Sequence, residues 1–172
     1  MKKDRRKKEQ KQPKLDCTFF LDRTHGKALS ASMRRVGFKV RSIYQVYPKK
    51  KHENTKDPTW IAKCAAQNPP WIAISGDKRL ETNIENRKAV IDAKCKIFLL
   101  EDSNSLPEEW AAAIIAGRLK IENIIRNESG PFFVNIAKNA RNHVAEFRVP
   151  TLIPVGRPAT APPVQADESA AS

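Results

Sequence analysis

Short apolar runs alternate along the chain with stretches whose apolar residues recur every three or four positions. Trp71 to Ile74 (WIAI) has no polar face, the pattern of a central strand in a parallel sheet covered on both sides. Leu15 to Leu21 and Lys96 to Leu100 (KIFLL) predict further strands, as do Phe132, Phe133, Val134 and Ile136. Between the first runs, Leu29, Met33 and Val36 at i, i+4 and i+7 predict a helix from about Lys27, ended by Gly37. Phe38 to Val46 alternates weakly and predicts a strand, and Tyr47 to Lys56 a polar, basic loop. A second helix opens at Asp57-Pro58, with Asp57 at the N-cap because proline favours the first turn and pushes its predecessor out of the helical region. It carries Trp60, Ile61, Cys64 and Ala65, and Asn68-Pro69-Pro70 stops it. Thr82 and Glu85 fit a capping box for a helix from Asn83 to Ala93. Ser105 and Glu108 fit another, for one long helix to about Asn127 that buries Trp110, Ile114, Leu119 or Ile121, and Ile125. Val144 to Val149 returns as an antiparallel edge strand. The alternation predicts an α/β fold, a three-layer sandwich with a mainly parallel central sheet.

That body spans residues 15–150 as one domain. Residues 1–14 (MKKDRRKKEQKQPK) and the Pro- and Ala-rich 151–172 hold too few apolar groups to fold, and both are expected to be disordered. The formal charge is +13, and the excess of basic residues persists in 15–150 after both tails are set aside, so the domain itself attracts polyanions. Cys17, Cys64 and Cys95 show no metal-binding spacing and read as buried thiols in a reducing compartment. No run approaches the length of a membrane span, and residues 1–14 lack the apolar core of a signal peptide. A cytoplasmic protein is the expectation.

The candidate chemistry lies just past two strands. Asp22 follows Leu21 and Asp77 follows ISG; in one parallel sheet both emerge at the edge where ligands of open α/β folds bind. Asp57, at a helix start, is the third acid. Each has a structural reason to exist, as a turn residue for Asp22 and Asp77 and as a cap for Asp57. Together, in a basic domain, they suggest a divalent cation held under a polyanion.

In their order and spacing, FFLDR (Phe19 to Arg23) with Gly26, DPTWIA (Asp57 to Ala62) and ISGDKRL (Ile74 to Leu80), followed by ENRKAV and IFLL, resemble the PIN domain family. The likeness is to the PIN-like nucleases related to toxins of toxin-antitoxin systems, and it spans about Leu15 to Arg148. It implies hydrolysis of RNA phosphodiesters dependent on Mg²⁺ or Mn²⁺, with Asp22, Asp57 and Asp77 as catalytic residues and metal ligands. Glu53, from the preceding loop, is the fourth ligand; Glu81 and Glu85 are alternatives, although Glu85 also suits a capping box. Arg23, Lys78, Arg79 and Arg87 would contact RNA. The implied partners are RNA, a protein antitoxin and a second copy of the chain. Pro58 stands where relatives often carry a second acid, which favours the alternative of a catalytically inactive PIN-like module that binds nucleic acid. A receiver-like phosphoacceptor ranks below both, because Arg23 follows Asp22 where that fold pairs two acids. His25, His52 and His143 have no assigned role.

Overall fold

The computed structural model describes residues 16–24, 26–48, 51–101 and 105–138, with the backbone of 145–147 and 151–152. In chain order the elements are β1 (Thr18–Leu21), α1 (Gly26–Arg35), β2 (Lys39–Ser42), α2 (Ile43–Val46), α3 (Lys51–Asn54), α4 (Asp57–Ala65), β3 (Ile72–Ser75) and α5 (Arg79–Thr82). They continue as α6 (Ile84–Asp92), β4 (Lys96–Leu100), α7 (Pro107–Ala116), α8 (Arg118–Asn127), β5 (Phe132–Lys138), β6 (Ala145–Phe147) and β7 (Thr151–Leu152). The first five strands run parallel in the order β2-β1-β3-β4-β5. The strands β6 and β7 lie antiparallel along different parts of β5, with Phe147 opposite Ile136 and Leu152 opposite Phe132. The pairing of β7 carries the sheet into Thr151 and Leu152, the first residues of the expected C-terminal tail. Residues 1–14, His25, His143 and most of the tail lie outside the described residues.

Strand side chains alternate between two cores, and this makes the three layers. Phe19, Leu21, Ile72, Ile74, Phe98, Leu100, Phe132, Val134 and Ile136 meet α1, α7 and α8. Phe20, Ala73, Ile97, Leu99 and Phe133 meet α4 and α6 through Trp60, Ile61, Cys64 and Val90. The fully buried rings of Phe20 and Trp60 stack with centroids 5.2 Å apart, fixing α4 against β1. Cys64 and Cys95 are buried free thiols whose pKa values are raised by that burial, while Cys17 is half-buried. Among the described residues β2 ends the sheet, exposing Lys39 and Arg41 and burying Val40 and Ser42. Among the described residues no helix is long and apolar enough to cross a membrane.

Four element boundaries besides the start of α4 differ from the sequence expectation. The chain leaves β2 at Ser42 and turns into α2, because the Gln45 side chain accepts the Ser42 amide at 3.1 Å. Within the expected loop, residues 51–54 form α3. Thr82 ends α5, so Asn83 caps α6, accepting the amides of Glu85 and Asn86 at 2.9 and 3.1 Å. The single long helix is two: α7 begins after Leu106, whose amide donates to Glu109 at 3.1 Å, and gives way at Gly117 to α8. Beyond the break Ile121 is buried and Leu119 exposed.

Gly130, before β5, has φ +71°, and a Cβ there would lie 3.1 Å from Lys96 Cγ and 3.3 Å from the Lys94 carbonyl oxygen. Gly130→Ala is expected to lower stability by about 1–2 kcal/mol, measured by urea unfolding; an unchanged midpoint would show that the turn relaxes without strain.

Candidate functional site

The order β2-β1-β3-β4-β5 reverses direction between β1 and β3, and in open α/β sheets this switch point opens the crevice where ligands bind. Asp22 is the first residue past β1, and its amide donates to the Ile74 carbonyl at 3.5 Å. Its carboxylate is buried, at 8% exposure. The Ser75 hydroxyl, at the end of β3, donates to Oδ2 in a short hydrogen bond. The Thr24 hydroxyl donates to the same oxygen at 3.1 Å, and the Thr24 amide to Oδ1 at 3.0 Å. Burial pushes the Asp22 pKa up to about 6; the Ser75 and Thr24 hydrogen bonds act against that rise, and the negative charge of Asp57 adds to it.

Asp57 is the first residue of α4, and the cap position falls to Lys56. The expected N-cap role is therefore corrected. The carboxylate is held elsewhere: Trp60 Nε1 donates to Oδ1 at 3.0 Å and Asn86 Nδ2 to Oδ2 at 3.0 Å. Trp60 is three residues along the same helix and stacked on Phe20, so one ring packs the core and aims the acid.

Asp77 sits where the sequence places it, its amide donating to Ser75 Oγ at 3.0 Å. Its carboxylate is gripped by Arg79, whose Nε lies 2.9 and 3.0 Å from the two oxygens and whose Nη2 lies 2.6 Å from Oδ2; the Arg79 amide donates to Oδ1 at 2.9 Å. That fork holds the Asp77 pKa below the usual carboxylate value and raises that of Arg79. Glu53 stands exposed on α3, and Arg23 binds the backbone there, Nη1 donating to the His52 and Glu53 carbonyls at 2.8 Å each. Lys78 is exposed, and Arg87 is half-buried on α6.

Among the described residues, no three His, Cys, Asp or Glu side chains gather closely enough to hold a metal ion as they stand. The donor chemistry of Asp22 and Asp57 nevertheless suits a hard divalent cation. Mg²⁺ commonly binds through one or two carboxylates and keeps several waters, and a cation would offset both the burial that raises Asp22 and the smaller contribution from the Asp57 charge. Three residues of the site were not singled out from the sequence: Ser75, Thr24 and Asn86. Ser75 carried a signal, lying two residues from Ala73 and thus on the same face of β3. Asn86 is visible only once Asn83 is known to be the cap of α6, which places it on the inward side of the first turn.

The sequence profile of the PIN-like domain family matches residues 17–102, which hold β1 to β4 and all three aspartates. The chain belongs to this family. Over 118 residues it is 27% identical to a Mycobacterium tuberculosis protein named "Putative ribonuclease VapC45", an alignment covering 68% of this chain and 83% of the relative. No solved structure matches.

In this PIN-like domain the raised Asp22 pKa has a definite sign for stability. Between the ordinary value of 3.8 and about 6 the folded state holds a proton that the unfolded chain has lost, so stability falls as pH rises through that window. The loss from this group amounts to about 3 kcal/mol. Asp22→Asn is expected to be more stable than wild type at pH 7.5, with the gap closing towards pH 4, as read by urea unfolding. A variant less stable than wild type at pH 7.5 would show that the carboxylate contributes net stability.

Proposed function

We propose that this PIN-like domain is a divalent-metal-dependent endoribonuclease that hydrolyses RNA phosphodiesters, and that it acts as the toxin of a toxin-antitoxin pair. The observation that carries the reading is the pair of oriented carboxylates, Asp22 and Asp57, at the switch point of a basic α/β domain. Membership of the family and likeness to a relative named as a ribonuclease support it. Asp22 and Asp57 would hold Mg²⁺ or Mn²⁺, with Asp77 as the third acid and Glu53 as a fourth. When bound, the metal supplies a more acidic water and offsets charge on the phosphate oxygens. The chain's own part is positioning. Ser75 and Thr24 fix the Asp22 oxygens, and Trp60 and Asn86 fix those of Asp57. Arg23, Lys78, Arg79 and Arg87 supply cationic donors for the phosphates on either side. A protein antitoxin, a second copy of the chain and a cytoplasmic setting belong to the same proposal.

The direct test is cleavage of a mixed RNA pool by purified protein with Mg²⁺ or Mn²⁺ against excess chelator. Metal-dependent cleavage abolished by Asp57→Asn in folded protein is the expected result; full activity of that variant would remove Asp57 from the site. Asn86→Ala takes away one of the two donors that aim Asp57, and is expected to lower metal affinity or cleavage about 10- to 100-fold, measured by Mn²⁺ titration and initial rates.

The grip of Arg79 on both oxygens of Asp77 favours a second reading, a catalytically inactive module that binds nucleic acid. Salt-sensitive RNA binding without metal-dependent cleavage in folded protein would establish it.

A further inference from the structure

Beside Asp22 lies a cluster of aromatic and cationic side chains that the acid site does not use. The half-exposed rings of Tyr44, on α2, and His52, on α3, meet with centroids 4.6 Å apart at an interplanar angle of 63°, a corner in which neither fully covers the other. The Lys27 ammonium lies 4.9 Å from the Tyr44 ring centroid. Three contacts fix the corner. His52 Nδ1 lies 3.3 Å from the Tyr47 carbonyl, Arg23 donates to the His52 carbonyl, and the Tyr44 hydroxyl donates to the Arg23 carbonyl at 3.5 Å. Tyr44 also packs against the core on the α4 face, so it forms the wall and His52 the outer surface. Arg23 directly follows Asp22, which ties the corner to the acid site through a single peptide bond.

A flat ring beside exposed cations and a phosphate-directed acid site is the equipment for holding an unpaired base. Aromatic stacking accepts any base that is not already paired and stacked in a duplex, while cations take the flanking phosphates. We propose that His52, buttressed by Tyr44, is a stacking subsite for a nucleobase of single-stranded RNA near the bond to be cut, with Lys27 pairing with a flanking phosphate. The inference rests on the ribonuclease reading and adds to it a base-binding subsite at His52. His52, to which the sequence assigned no role, thereby gains one.

The test measures binding of the full chain to a short fluorescent single-stranded RNA in excess chelator, beside an abasic oligonucleotide of the same length and an RNA duplex. His52→Ala is expected to weaken single-strand binding about 5- to 100-fold and to leave the abasic and duplex probes unchanged. His52→Trp should restore binding. Equal losses on the single-stranded and abasic probes would overturn the proposal, since the side chain would then act through phosphate or through folding. Unchanged single-strand binding by His52→Ala, in a protein whose wild type cleaves RNA, would overturn the stacking subsite and leave the nuclease reading standing. A wild type that neither binds nor cleaves RNA would overturn both.

Discussion

The constraint on which the site depends is a carboxylate placed where water scarcely reaches it. Asp22 extends β1 by one residue into the space between two helical layers, and Ser75 answers it from the neighbouring strand. A buried charge is tolerated only when its oxygens are satisfied. Here the donors come from β3 and from the turn after β1, so the pairing of the two strands and the state of the acid are one problem. Ser75 also accepts the Asp77 amide, so its hydroxyl joins the ends of both strands in one hydrogen-bonded line.

A second line runs through the helical layer. Phe20 on β1 stacks on Trp60, Trp60 donates to Asp57, and Asn86 on α6 completes the support from the other side. The core of the α4 face and the aim of Asp57 therefore share a side chain. Asp77 is supported differently, by an arginine two residues away whose own side chain is largely exposed. Two acids are thus held by the interior and one by the surface.

The strands were legible because a parallel sheet covered on both faces leaves short apolar runs bounded by turn residues, and Asp22 and Asp77 were legible because they end such runs. Helix starts were less so. A cap depends on which residue the preceding turn leaves free; Thr82 was already taken by α5, so Asn83 became the cap of α6 and Asn86 fell in its first turn. A one-residue shift in the opposite direction, to Lys56, released Asp57 from capping its own helix. Ser42 and Gln45 held a capping signature in the sequence, yet the alternation around them read as strand. Leu119 and Ile121 could not be separated until Gly117 was seen to divide the helix.

Among the described residues the two borders of the sheet end differently. Beyond β5 the chain covers its own edge with β6 and β7. At the other border β2 is four residues long and points Lys39 and Arg41 outward. An unpaired strand is a template for a neighbouring chain, and two such edges brought together would set like charges against each other. Growth of the sheet from molecule to molecule is thereby opposed at the β2 border, one strand away from the crevice above β1.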